Sequence, residues 1–441
     1  MTHPTAAAQR DLALSVLRRL REAGYQALWA GGSVRDQLLG RTPKDYDVAT
    51  DATPEQIRTI FGRRHTLAIG AAFGVVAVLG PKHVGMVEVT TFRRDAEYSD
   101  GRHPDAVVFS TPEEDAQRRD FTINGLFYDP LDDRVIDYVG GQADLERRVV
   151  RAIGDPRARF IEDKLRMVRA VRFAAGFDFA LDEPTLAAID EMAETIQVVS
   201  PERIAQEMRK MLVDPQRAAA VELLRRTRLL AVLLPELNGL ASSDEAPAWR
   251  HTKQVLAGIA APSFSAALAA LLHALDEPAA ESSSADQTMK SSPAVQVASA
   301  IGDRWRLSNK ERDLAQWLLA NHGRLKNAAG QHWSVVQPLL IDAGAVELIA
   351  LHEAEGLSRG GDHALAANND VEFCRAKLAL PVAELDPPAL LDGNDLAEHG
   401  IPRGAIYRFL LSQVRAAQLD GQIGTRAEAL SLVDRLKHDS Q

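Results

Sequence analysis

"WAGGSVRDQLLGRTPKDYDVATDATPE", residues 29–55, sets two adjacent glycines after an apolar run, then an arginine, then two aspartates separated by one residue. Glycines let a backbone turn sharply and approach a ligand closely, and a helix beginning near Ser33 would aim its free N–H groups at an anion. Such a turn suits phosphate. In an extended strand, "DYDV" sends Asp45 and Asp47 to one face and Tyr46 and Val48 to the other. A lone D-x-D is more often a solvated strand end than a metal site. Here it follows a glycine turn and an arginine within one strand–helix–strand length, which favours hard oxygen ligands for magnesium carrying a nucleoside triphosphate.

The 441 residues exceed one ordinary domain, and 46% hydrophobic with 25% charged residues is globular composition. The single cysteine, Cys374, rules out an internal disulfide, and no uninterrupted apolar stretch is long enough to cross a bilayer. The N-terminal segment lacks the layout of a signal peptide, so a soluble, cytoplasmic protein is expected. A formal net charge of −10 argues against a nucleic-acid partner. Arginines nevertheless concentrate in 147–173 and 201–230, so a basic surface on an acidic protein is compatible with the sequence.

Amphipathic periodicity predicts a helix over 8–24, followed by short β-type runs: YQALWA, KDYDVAT, GVVAVLG, GMVEVTTF, AVVF and RVIDYV. Helical stretches near 53–61, 112–119 and 141–148 flank them, which makes a small α/β domain. From about residue 155 strand signals nearly vanish and helical periodicity runs on. Residues 276–296, rich in Ser, Ala and Pro, read as a mobile insertion or linker. The tail from Leu390 has glycine-punctuated short helices, which suit a phosphate-backbone grip or a plain helical hairpin.

The motifs GGSVRD, DYD, VEVTTFR, RRDFTING, IEDKLRMVRAVRF and LDGNDLAEHGIPRG, in that order, resemble bacterial class II tRNA nucleotidyltransferases, the family of CCA-adding enzymes and poly(A) polymerases. The likeness is dense over roughly 10–235 and looser over the last fifty or so residues. It implies an α/β nucleotidyltransferase head with a small mixed sheet over 1–150 and a helical neck over 151–240. A helical body over 241–380 and a helical tail over 381–441 would follow, with the helical parts holding the tRNA acceptor end. By the same resemblance Gly31, Gly32, Ser33 and Arg35 would hold the triphosphate of CTP or ATP. Asp45 and Asp47 would hold magnesium, with Glu88 as the third catalytic carboxylate. The context of Glu88 agrees, since an acid on a mid-sheet strand sharing a face with Met86 and Thr90 needs a partner, although a solvent-facing glutamate has the same pattern.

In RRDFTIN, Arg119 would pair with phosphate oxygens, and Asp120 or Asn124 would accept from a ribose hydroxyl. A capped helix start is the alternative for Asp120. The segment RFIEDKLRMVRAVRF is expected to be one helix carrying Asp163, Arg166, Arg169 and Arg172 at three-residue steps. Each step lags by about 60°, so the row spirals round one side and can wrap a bound nucleotide, with all four residues as contacts; a solvated face of ion pairs has the same spacing. A carboxylate only accepts and a guanidinium only donates, so Asp163 with Arg166 fits the amino and ring-nitrogen edge shared by cytosine and adenine. Uracil and guanine reverse that pattern and leave both groups unpaired. The resemblance assigns the pair the same task.

Rival readings stay open at this level. His251 and His273 resemble the opening of an HD-type metal phosphohydrolase, but Ala274 stands where that pattern has an aspartate, so a degenerate or structural segment is expected. A non-catalytic RNA-binding module would have no need of Asp45, Asp47 and Glu88 together. Within the family, residues 93–105 resemble a loop that CC-only enzymes lack. The tail lacks the strongly basic run of poly(A) polymerases, while 62–66, GRRHT, keeps that activity in play. CCA addition leads, and terminal A addition is second. The oligomeric state is not legible.

Overall fold

The computed structural model describes residues 6–70, 73–95, 107–276 and 292–439. The chain divides into two units, Met1–Met211 with Ala219–Pro235, and Leu212–Ala218 with Glu236–Gln441. In the first, helix α1 (Ala6–Glu22) precedes strand β1 (Ala27–Ala30), the apolar run before the glycines. All four residues of β1 are buried, as expected of a strand covered on both faces. Helix α1 faces it with Ala13, Val16, Leu17 and Leu20, the 3–4 spacing of one helix stripe.

Short elements follow in quick succession: α2 (Gly32–Leu38), β2 (Asp47–Thr50), α3 (Pro54–Phe61), β3 (Thr66–Gly70), β4 (Val75–Leu79) and β5 (Met86–Thr91). Helix α3 starts with a capping box between Thr53 and Gln56 and with Pro54 in its first turn, signals present in the quoted stretch. Next come β6 (Arg93–Asp95), β7 (Val107–Phe109), α4 (Pro112–Gln117), β8 (Phe127–Asp129) and β9 (Arg134–Ile136). The seven-stranded sheet has the order β3-β4-β5-β2-β1-β8-β9, while β6 and β7 form a separate ribbon. Only β2 and β5 pair in parallel within the large sheet, so it is mixed. Their register sets Val48 opposite Val89, which brings Asp47 alongside Glu88 at the preceding position. The strands β3, β6 and β8 are additions to the sequence reading.

The chain then turns helical, with α5 (Gly141–Arg147), α6 (Pro156–Glu162), α7 (Leu165–Phe177), α8 (Glu183–Met192) and α9 (Pro201–Leu212). The strands β10 (Val149–Val150) and β11 (Ala180–Leu181) form a small parallel pair. The single helix expected over Arg159–Phe173 is broken. Asp163 closes α6 with extended dihedrals, φ −148° and ψ 104°, and its carboxylate accepts the Leu165 N–H at 3.1 Å. Aspartate side chains compete for backbone donors in this way, and here the competition wins.

The second unit is helical among its described residues, with Pro247–Gly258, Phe264–Leu272, Asn309–Asn321, Ala345–Arg359 and Gly361–Leu378 in the body. The expected insertion over 276–296 is shorter at its C-terminal end, because Ser292 caps a helix that runs from Pro293 to Arg304. Residues 277–291 lie outside the described residues. The tail helices Ile406–Leu419 and Arg426–Asp439 are longer than the short helices expected, and they share a core of Leu396, Leu410, Val414 and Val433. No single helix among the described residues is long and apolar enough to cross a membrane.

Candidate active site

The first unit contains a cleft of about 630 Å³, a size typical of small-molecule sites. Its floor is the end of β1 and the glycine turn. Gly31 has φ 70° and ψ −127°, a region only glycine enters without strain, and a Cβ there would sit 2.9 Å from the Arg119 guanidinium. Gly31, Gly32 and Arg35 line the cleft. Ser33 does not; its hydroxyl is buried and donates to the Ala30 carbonyl at 3.2 Å, closing the turn from behind.

Asp45 and Asp47 both line the cleft. Strand β2 starts at Asp47, so Asp45 sits in the loop just before it, not within a strand as expected. Between them Tyr46 is buried against Trp29, with ring centroids 4.8 Å apart, and this anchors the two acids on the cleft side. Asp47 opens to the cleft but is crowded by protein elsewhere. That desolvation, with repulsion from Asp45 and Glu88 outweighing attraction to Arg119, raises its carboxyl to about 7. Glu88 alternates as expected, facing out with Met86 while Val87 and Val89 are buried; it acts on Asp47 from the neighbouring strand and is not among the cleft-lining residues.

Acids that repel one another where protein supplies too little positive charge fit a cation. Among the described residues no three His, Cys, Asp or Glu side chains form a ligand set. Magnesium does not require one, since it is commonly held by one or two carboxylates, with substrate phosphates and water completing the octahedron. Asp45 and Asp47 fit that pattern.

The opposite wall is cationic and tightly wired. Asp120 is buried and accepts from the Phe121 N–H at 2.8 Å, from Asn124 Nδ2 at 2.9 Å and from Arg169 Nε and Nη2 at 2.9 and 2.6 Å. Burial alone would raise this carboxyl, but Arg169 and the Asn124 amide overcome it and hold it at about 2. Asn124 Oδ1 accepts from Arg35 Nη1 at 2.6 Å, so Arg35, Asn124, Asp120 and Arg169 form one chain. Asp120 and Asn124 thus already serve as acceptors within the protein, and the helix-cap alternative for Asp120 is not what its carboxylate does. Arg35 also lies over Phe173 and Phe177, 5.2 and 4.6 Å from the ring centroids.

Asp163 and Arg166 line the cleft from the α6–α7 break. Asp163 also accepts from Arg203 Nη2 at 2.7 Å. Arg166 donates to Glu162 at 2.6 Å and to the Arg159 and Arg118 carbonyls at 3.1 and 3.2 Å. These bonds occupy two of the carboxylate's four lone-pair positions and three of the guanidinium's five N–H groups. Arg169 lines the cleft too, whereas Arg172 does not: its Nε bonds Glu207 at 2.5 Å and its guanidinium lies 4.1 Å from the Phe173 ring centroid. The break at Asp163 ends the expected spiral.

Sequence reasoning missed the residues that hold these groups. Glu207 and Arg203 on α9, four apart on one face, grip Arg172 and Asp163, and their spacing within PERIAQEMRK was the available signal. Asp115, three and four residues before Arg118 and Arg119, pairs with both.

In the second unit His251, His273 and His322 cluster, with ring centroids 5.1 and 6.2 Å apart. Ala274 is buried beside them and offers no ligand. His273 Nδ1 bonds the Ala270 carbonyl at 2.8 Å, and burial pushes its pKa down to about 3.

Two family models match the chain, the Poly A polymerase head domain over 27–151 and the probable RNA and SrmB-binding site of polymerase A over 178–240. The CCA-adding enzyme of Lactobacillus johnsonii is 33% identical over 437 residues, 97% of each chain. The CCA-adding enzyme of Geobacillus kaustophilus is 44% identical over 227 residues, and there the chain spans about half of the relative, 54% of it against 51% of this chain. The solved structure of the Bacillus stearothermophilus CCA-adding enzyme in complex with CTP superposes with a TM-score of 0.74 at 29% identity, covering 98% of both chains.

Proposed function

The chain belongs to the family of CCA-adding enzymes and poly(A) polymerases, and we propose that it adds C, C and A to the 3′ end of tRNA from CTP and ATP without a nucleic-acid template. One observation carries this reading. A single cleft joins a carboxylate pair, Asp45 and Asp47, to a cationic wall and to an acceptor–donor pair, Asp163 and Arg166. Whole-length similarity to a protein named as a CCA-adding enzyme supports the choice within the family.

The residues divide the work. Arg119 and Arg35, with the Gly31–Gly32 backbone, bind and orient the triphosphate, and Gly31 lets Arg119 come close. Asp163 and Arg166 present their remaining acceptor and donor positions to the base edge, so cytosine and adenine pair and uracil and guanine do not. Asp120 and Glu207 hold Arg169 and Arg172 in place behind them. Asp45 and Asp47 would hold magnesium, with Glu88 adding negative potential from β5. Magnesium held there would supply Lewis-acid chemistry, lowering the pKa of the RNA 3′-hydroxyl and offsetting negative charge on the triphosphate as pyrophosphate leaves.

The domain roles belong to the same proposal: a catalytic head over 1–150, a base-selecting neck over 151–240, and a body over 241–380 and tail over 381–441 that hold the tRNA, in a cytoplasmic protein. The test is direct. Protein is incubated with a tRNA lacking its CCA end, with CTP and ATP separately and together, in magnesium and in chelator, and the products are sequenced. CCA ends that require magnesium support the reading. An A-only end or an A tract moves the chain to a sister activity, and no incorporation removes it from the enzymes.

A further inference from the structure

We propose that Asp115 is a positioning residue for triphosphate binding, acting through Arg119; the proposal rests on the function inferred above. Asp115 lies on α4, is almost wholly buried, and does not line the cleft. Its Oδ2 accepts from Arg119 Nε at 3.3 Å and Nη2 at 3.0 Å, gripping one edge of that guanidinium. The Asn124 carbonyl takes a third N–H, from Nη1 at 3.2 Å. An arginine has five N–H donors, so two remain without a hydrogen bond among the described residues, on a guanidinium that lines the cleft against Gly31.

Asp115 is itself fixed from the other side. Its Oδ1 accepts the Arg93 backbone N–H at 3.3 Å, while Arg118 bonds both that oxygen, from Nε at 2.9 Å, and the Arg93 carbonyl at 3.1 Å. One carboxylate therefore ties β6 and α4 to the side chain that faces the phosphates. Burial, which alone would raise this carboxyl, is overcome by Arg119 and Arg118, so it stays charged and below the usual carboxylate range. A fixed charged partner orients a phosphate-binding guanidinium before ligand arrives, which keeps its ordering cost out of the binding step.

Asp115→Asn keeps the shape and removes the charge. Expected is a rise of about tenfold in KM for CTP and for ATP, with a smaller change in kcat and an unchanged preference among the four nucleotides. Inorganic tripolyphosphate, which has no base or ribose, should lose potency as an inhibitor by the same factor. In an Arg119→Ala background, Asp115→Asn should add less than twofold. Asp115→Glu, which keeps the charge but moves it by a methylene, is the second variant, and a smaller rise in KM is expected. If either folded variant lowers kcat with KM and tripolyphosphate inhibition unchanged, or if the Asp115 and Arg119 effects multiply in full, the proposal is wrong. Failure of the wild-type protein to incorporate nucleotides would instead remove the parent reading.

Discussion

Replacing Asp120 by Asn tests the wiring of the cationic wall, because it removes one charge at constant shape. A carboxyl held at about 2 instead of the usual 3.8 is worth about 2 kcal/mol of native stability at neutral pH, at roughly 1.4 kcal/mol per pH unit. The sign follows from the direction of the shift. The native state binds the proton more weakly than the unfolded chain, so the stabilisation is complete above about pH 4 and is lost as pH falls through 2. Asp120→Asn should therefore be about 2 kcal/mol less stable than wild type at pH 7, with the gap closing as acid is added. Urea titrations of both proteins between pH 7 and pH 3, followed by circular dichroism, measure the gap. The same variant should also loosen Asn124 and, through it, Arg35, and so raise KM for CTP and ATP. A stability gap of the same size at pH 7 and pH 3 would refute the assignment, because the contribution would then not depend on the Asp120 charge.

Two further outcomes follow from geometry. Gly31→Ala introduces strain of about 1–3 kcal/mol at φ 70° and ψ −127° and pushes Arg119 off its seat; steady-state kinetics should show KM for both nucleotides rising several-fold. For His273, whose native pKa lies near 3, protons are taken up by the unfolded chain and not by the native one as pH falls below about 6.5. Stability should then drop by up to about 1.4 kcal/mol per pH unit, and His273→Leu should flatten that slope in urea midpoints measured from pH 7 to pH 5.

The head was legible where residues alternate or repeat. ALWA, VVAVL and MVEVTT announce strands, and the glycine pair with the Asp45–Asp47 spacing marks one end of the cleft. Five strands were missed because they are very short, as in β6, β8, β10 and β11, or lie at the sheet edge with outward apolar residues, as Leu67 and Ile69 do in β3. The α6–α7 break was invisible to periodicity, since Ile161, Leu165 and Val168 keep a helical apolar spacing across it; the Asp163 carboxylate capturing the Leu165 N–H ends the helix. Long-range partners leave no local trace. Asp120 and Arg169 are 49 positions apart, and neither has a neighbour that announces the pair. Arg172 shows the cost of extending a spacing rule past such a break, because it turns to Glu207 instead of the cleft.

Base selection by Asp163 and Arg166 is tested by the relative incorporation of CTP, ATP, UTP and GTP by Asp163→Ala, with Arg172→Ala as the control lying off the cleft. Losing the acceptor for the exocyclic amine costs about 1–3 kcal/mol, so discrimination against UTP and GTP should fall by about five- to hundredfold as CTP and ATP turnover drops. Arg172→Ala should change all four alike. If Asp163→Ala lowers all four rates in the same proportion, the α6–α7 break holds the nucleotide without reading it, and the claim is contradicted.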